Sequence, residues 1–241
     1  MKCKEYNSFL KTLKTFFRES MKFGEDGVPT TKEIILLDSE HITQMAISRV
    51  DGTPVFGVEG DFCLSVNELY KVPQTGDLNT YMNPLESVDH SAVDFVWETS
   101  GFQFRNKAFP LKESDKRKRI EFPFTTFFTI PKGVLRASLS PYLNIGESVI
   151  FTTTSEEEDY KVATFINDGI ACAVSIIVAD KVDGEKFQVI LPTTHIKRLM
   201  KMSDGPFHVF CGKHIPMEFR WEDNGYQYSY AIAPRNVPDE E

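Results

Sequence analysis

Two groups of residues have the types and spacing to do chemistry. His208, Cys211 and His214 form HxxCxxH, a set of ligand types that zinc takes. Asp89, His90, Asp94 and Glu98 are an acidic cluster of the kind that holds divalent metal in a nuclease. Each has a plainer reading beside it. The 208–214 segment has the pattern of a strand and turn, where this spacing scatters side chains over both faces, and structural zinc needs four convergent ligands. Asp94 and Glu98 alternate with Val93, Phe95 and Trp97, which also describes the wet face of a strand. No Gly-rich phosphate loop, nucleophile elbow or HExxH is present in the sequence. The balance points to a binding or scaffold protein without a cofactor, and the metal-dependent nuclease using Asp89, Asp94 and Glu98 is the alternative from another class.

The elements that must position any site follow from hydrophobic patterning. Tyr6, Phe9, Leu10, Leu13, Phe16 and Phe17 recur at helical spacing, which predicts a helix over 6–17 with Lys4, Lys11, Lys14 and Arg18 on its other face. Lys2 and Lys22 add to these, against only Glu5 and Glu19, so residues 1–22 are positive in a chain of formal net charge −8. A solvated helix face and a surface for an anionic partner are both compatible with that asymmetry. The acidic total argues against coating nucleic acid with the whole surface and leaves room for a local basic stripe.

From Glu33 the pattern changes to strands, with a polar turn at Asp38–His41 and alternation through Ile42, Ala46 and Val50. Phe62–Lys71 reads as a strand leading into a short helix, with Val66, Leu69 and Tyr70 inward and Lys71 outward, stopped by Pro73 and Gly76. Residues 93–109 read as two strands about Ser100-Gly101. Then comes KESDKRKRIEFP, Lys112–Pro123, a charged connector that closes on Ile120, Phe122 and Pro123.

The second half replays this order. A helix is expected over Pro131–Ser140, with Lys132 and Arg136 among its polar positions, then strands over Val149–Val178 broken by an acidic turn at Glu156–Asp159. A strand and helix follow over Phe187–Met202, with two strands to the end. Val66, Leu69, Tyr70 and Lys71 map onto Ile196, Leu199, Met200 and Lys201 at one constant offset. Ile35, Leu36 and Asp38 map onto Phe165, Ile166 and Asp168 at the same offset. The expected organisation is therefore an internal repeat: a domain over 1–111, a linker over 112–123 and a second domain over 124–241. The fold class is α+β, two similar domains each with two helices packed on antiparallel sheet.

Cys3, Cys63, Cys172 and Cys211 contain no CxxC pair and read as free thiols in a reducing cytosol. The start, MKCKEYN, has no apolar h-region, so no secretory signal is expected. No apolar run is long enough to span a bilayer as a helix, and no membrane role is expected.

Three segments carry a family resemblance. Leu37-Asp38-Ser39-Glu40-His41-Ile42 resembles the turn before the partner-binding groove in DNA sliding clamps of the proliferating cell nuclear antigen (PCNA) family, archaeal and eukaryotic type. Asn144-Ile145-Gly146-Glu147-Ser148-Val149 resembles that family's segment after the second-half helix. Ile215-Pro216-Met217-Glu218-Phe219, and Tyr230-Ala231-Ile232-Ala233-Pro234-Arg235 with its acidic tail, resemble the family's C-terminus.

The resemblance implies a processivity fold, three two-domain subunits forming a pseudo-sixfold ring around duplex DNA, and a replication and repair role without catalysis. It implies DNA-facing cations at Lys11, Lys14, Arg18, Lys71, Arg136, Lys197, Arg198 and Lys201, binding without sequence preference. It implies a groove for PCNA-interacting peptides made by Leu37, His41, Ile42, Ile120, Phe122, Pro123, Pro216, Ala231, Ala233 and Pro234. Subunits would join through Phe102, Phe104 and Phe109 on one edge and Cys172, Val174 and Ile176 on the other. Implied partners are DNA polymerase, a clamp loader and further copies of this chain or related chains. Implied location is intracellular, in the cytoplasm if archaeal and the nucleus if eukaryotic or viral. A subunit of a heteromeric, checkpoint or viral clamp is the close variant. Gln44 and Ala231 depart from the family, which places larger apolar or aromatic groups there. The Lys116–Arg119 run is also unusual, and reads either as a nuclear-import signal or as a solvated face that favours acidic partners.

Overall fold

The computed structural model describes residues 1–20, 27–38, 43–60, 62–84, 93–111, 117–144, 146–156, 159–167, 176–179 and 181–235. Two compact units emerge, each assembled from separate stretches of chain. The first comprises Met1–Asp38, Met45–Arg119 and Glu222–Tyr228; the second comprises Ser39–Gln44, Ile120–Trp221 and Ser229–Glu241.

The first unit opens with α1 (Cys3–Ser20), longer at both ends than the apolar periodicity alone predicts. Its six expected apolar residues are all buried. The strands are β1 (Gly27–Pro29), β2 (Glu33–Asp38), β3 (Thr43–Arg49), β4 (Phe62–Ser65), β5 (Asn79–Pro84), β6 (Val93–Thr99) and β7 (Phe102–Pro110). Five of them form one antiparallel sheet in the order β1-β4-β7-β6-β5. The β6–β7 hairpin turns at Ser100-Gly101, where Gly101 has φ +84, a conformation that favours glycine. α1 meets this sheet through Tyr6 against Trp97 at 4.8 Å, and its Phe9 packs between Phe56 at 5.4 Å and Tyr226 at 4.9 Å. Phe95, Trp97 and Phe56 complete the cluster.

Two expectations fail in this unit. The helix after β4 is only one 3-10 turn, Val66–Glu68, and the chain is extended again at Leu69. The cause is downstream: the Asn7 carboxamide donates to the Val72 carbonyl at 2.8 Å and accepts from its N–H at 3.0 Å, which takes both Val72 backbone groups away from a helical ladder, and Pro73 follows. Tyr70, expected inward, is therefore 61% exposed. β3 does not alternate either; Thr43–Ile47 are all buried, and Val50 lies past its end, exposed.

The second unit holds β8 (Thr126–Ile130), α2 (Val134–Leu139), β9 (Ser148–Glu156), β10 (Asp159–Asn167), β11 (Ile176–Ala179), β12 (Val182–Gly184), β13 (Gln188–Pro192), α3 (Thr193–Met202) and β14 (Phe207–Cys211). Both β15 (Met217–Asp223) and β16 (Tyr226–Ile232) contribute residues to both units. One sheet runs β11-β10-β9-β13, and β12, β8, β14 and β15 lie side by side in that order. The β9–β10 hairpin pairs Glu156 with Asp159, as the acidic turn predicts. α2 is shorter than expected and starts at Val134, after Gly133 at φ +79, so Pro131 precedes it. Strand alternation is clean in β8: Thr126, Phe128 and Ile130 are buried, Phe127 and Thr129 exposed. Phe151, Phe207, Phe219 and Trp221 meet edge to face in the core.

Cys3 and Cys211 are buried and Cys63 partly exposed. Burial pushes the Cys211 thiol up to about 12, so almost none of it is the reactive thiolate at pH 8. Iodoacetamide at pH 8 should modify native Cys63 well before Cys211, with Cys211 reacting only after denaturation; equal rates by peptide mass spectrometry would contradict this packing. Phe9→Ala should destabilise the first unit by about 3–5 kcal/mol in chemical denaturation, the usual cost of an emptied buried phenylalanine site.

Candidate nucleic-acid interface and partner groove

On α1, burial of the apolar face leaves Lys11 exposed and Lys14 partly exposed, with the Lys14 Nζ 5.9 Å from the Tyr70 ring centre. The Arg18 side chain lies outside the described residues. Lys71 is exposed on the segment after the 3-10 turn. In the second unit Lys201 is exposed and Lys197 partly so, both on α3. Arg136 on α2 is exposed but engaged, its guanidinium bonding the Asp204 carboxylate and the Met200 carbonyl. Both members of that pair are half exposed, so water screens it and its contribution is small.

Arg198 is a correction. It is 3% exposed, and its Nη1 donates to the Tyr230 hydroxyl at 3.4 Å, which also meets His195 Nδ1 at 2.8 Å. α3 buries residues around most of its circumference, including Thr193, Ile196, Leu199 and Met202, so Arg198 falls inside and not on the outer face. The helical pattern alone puts an arginine outside; what it cannot reveal is a tyrosine hydroxyl more than thirty residues later that receives it.

The groove residues are distributed as follows. Ile120 is 47% exposed, Pro123 exposed, and Phe122, Pro216, Ala233 and Pro234 partly exposed. Ala231 is buried near the end of β16. Leu37 is partly exposed and belongs to the first unit, where its carbonyl accepts from Arg117 at 3.4 Å. His41 and Ile42 lie outside the described residues. Gln44, noted above only as a departure, holds both backbone groups of Ile120: Oε1 accepts its N–H at 2.7 Å and Nε2 donates to its carbonyl at 3.2 Å.

Phe122 continues into a line of rings, Phe124 at 5.9 Å, then Phe210 at 5.8 Å and Phe127 at 5.3 Å. The Arg220 guanidinium lies 4.0 Å over Phe210 and chelates Glu218, a buried carboxylate that also accepts from Ser229. Sequence reasoning did not single out this strip. Its signal was available: inward alternation of Thr126, Phe128 and Ile130 forces Phe127 outward.

Two stretches expected at subunit joints have a side without a paired strand among the described residues. β7 pairs with β4 only from Ala108 to Pro110, so Phe102–Lys107 have β6 on one side and no strand on the other. Phe102 and Phe104 stack there at 6.4 Å, and Phe109 is exposed farther along. β11 ends its sheet, with Ile176 partly exposed and Ile177 exposed. Cys172 and Val174 lie outside the described residues.

Among the described residues, those with catalytic or ligand character do not converge. His208 is on the exposed face of β14, meeting Thr129 Oγ1 at 3.2 Å, whereas Cys211 points into the core and His214 lies in a turn at φ +59. Asp94 is 3.9 Å from Arg105, and Glu98 accepts from the Tyr81 hydroxyl at 3.4 Å. Asp89 and His90 lie outside the described residues.

No protein-family model and no curated protein matches the sequence. Solved structures do match. The A. fulgidus PCNA, determined with the C-terminal region of FEN-1, has a TM-score of 0.70 at 12% identity, covering 99% of this chain and 98% of that one. The PCNA2-PCNA3 complex from Sulfolobus tokodaii has a TM-score of 0.66 at 15% identity, covering 97% and 96%. PCNA from Thermococcus kodakaraensis has a TM-score of 0.66 at 15% identity, covering 97% of each. Over nearly its whole length, this α+β chain has the clamp fold of the PCNA sliding clamps.

Proposed function

We propose that this chain is a subunit of a DNA sliding clamp, a ring that encircles duplex DNA and tethers replication and repair enzymes without chemistry of its own. The observation that carries the reading is the clamp fold over nearly the full chain. Two features of the chain agree with it. Lys11, Lys14, Lys71, Lys197 and Lys201 sit on or beside helices in a protein of net charge −8, a distribution that attracts phosphate locally and discourages DNA elsewhere. The lysine contacts read no bases, so a ring held by them slides. Arg136 contributes once a phosphate displaces Asp204, while Arg198 is not among the contacts.

The open edges at Phe102–Lys107 and Ile176–Ala179 would join head to tail between three subunits, pairing backbone groups that would otherwise invite aggregation. The groove around Ile120 and Phe122 would take the apolar-aromatic plug of PCNA-interacting peptides, from a polymerase, a clamp loader or another protein, as the C-terminal region of FEN-1 is seen bound to A. fulgidus PCNA. Such a clamp works where DNA is replicated, the cytoplasm of an archaeon or a nucleus. The PCNA2-PCNA3 structure favours a second reading, in which this chain joins related chains in a mixed ring.

Light scattering decides between the two assemblies: a particle of three times 27.5 kDa is expected for the self-sufficient ring. A monomer that forms a ring only with sister chains supports the mixed one. Charge reversal of Lys11, Lys14 and Lys201 together to Glu should cut stimulation of polymerase processivity by roughly ten-fold or more at physiological salt, with assembly unchanged. Full stimulation by that triple variant would show that the helices do not face DNA.

A further inference from the structure

We infer that Gln44 is a positioning residue that latches the linker at Ile120 and thereby sets the affinity of the partner groove; the inference rests on the groove reading above. Gln44 is the second residue of β3 and is 3% exposed. Its carboxamide meets the N–H and the carbonyl of one linker residue, at 2.7 Å and 3.2 Å. This is the pairing that a neighbouring strand residue makes in an antiparallel ladder, delivered here by a side chain. A buried carboxamide left without partners carries a desolvation cost, so the side chain has strong reason to keep Ile120 in place.

The latch grips only backbone. The Ile120 side chain remains 47% exposed, held outward as a wall that a plug can press against. Two residues on, the Phe122 ring packs on Phe124 at 5.9 Å, so the end of the linker is fastened at two points. Just upstream, Arg119 meets Glu33 at 3.4 Å, a part-exposed ion pair that salt weakens. The hydrogen bonds to Gln44 are part-buried and join uncharged groups, so the latch persists in salt where that ion pair does not.

An ordered wall spares the partner the cost of ordering the linker on arrival. Gln44 therefore acts on binding through Ile120, without touching the plug. The occupant is a peptide whose apolar and aromatic side chains fit beside Ile120 and Phe122.

Gln44→Met keeps the length of the side chain and removes both bonds. Amide hydrogen exchange at Ile120 should accelerate by about ten-fold or more, the worth of roughly one net hydrogen bond, while exchange in β14 and β15 stays unchanged and the melting temperature falls by no more than about 4 °C. Affinity for a synthetic apolar-aromatic plug peptide, read by fluorescence anisotropy, should fall by about the same factor. Gln44→Leu also removes both bonds without burying a charge, so it should show the same effects, and it serves if the Met variant folds poorly. Unchanged Ile120 exchange in both variants overturns the latch. Faster exchange with unchanged peptide affinity overturns its role in binding. A wild-type chain that protects Ile120 through Gln44 yet binds no plug peptide supports the latch and sinks the groove reading instead.

Discussion

Burial of one face of α1 is the constraint on which the first unit depends. Phe9 is stacked against Tyr226 and edge-on to Phe56, while Tyr6 meets Trp97, so the helix rests on rings drawn from distant parts of the chain. Aromatic burial of this size outweighs any preference the lysines have for one direction over another. Lys11 and Lys14 face outward because Phe9, Leu10 and Leu13 cannot. The cationic face is thus a by-product of packing in its geometry, and only its composition remains to be explained by a partner. Arg49 shows the same logic at the edge of that cluster. Its guanidinium sits 5.2 Å from the Tyr226 ring centre and bonds Asp51, which holds that carboxyl well below the usual carboxylate range.

The two carboxamides use one chemical device in two places. Asn7 pairs with both backbone groups of Val72, and Gln44 pairs with both backbone groups of Ile120. An amide side chain has the donor and acceptor of a peptide group, so it can end a ladder where no strand continues. At Val72 the result is structural: the would-be helix after β4 stops at one turn and Tyr70 is left outside. At Ile120 the same pairing fixes a segment whose upstream neighbours are charged and which has few apolar groups of its own to bury. That need for a backbone partner accounts for a buried polar residue at Gln44.

How far the sequence foretold this depends on the range of the interactions. The helix of α1, the β6–β7 hairpin and the alternation of β8 rest on periodicity and turn chemistry, and they were legible. The charged face of α1 was legible for the same reason, since it is the complement of the apolar one. Arg198 and Tyr70 were not legible, because each is placed by a residue far away in sequence: Tyr230 for the arginine, Asn7 for the stretch that follows the tyrosine. The latch at Gln44 belongs to that second class. The resemblance located the position and marked its residue as unusual, but a carboxamide looks the same in sequence whether it faces water or a backbone.

The open edges give the remaining step. A strand edge presents unpaired N–H and carbonyl groups, and a soluble chain blunts such an edge or covers it. At Phe102–Lys107 blunting is partial: Arg105 and Lys107 are charged and exposed, yet Phe102 and Phe104 stack beside them. On β11 the exposed Ile177 has no charged neighbour within the strand. An edge defended only by charge would have no use for stacked phenylalanines, and an edge meant to stay in water would not end on isoleucines. Both compositions suit a strand that is covered in the working protein. If the proposed ring forms, backbone pairing would supply the affinity of such a joint, and the rings and isoleucines would restrict which edge it accepts.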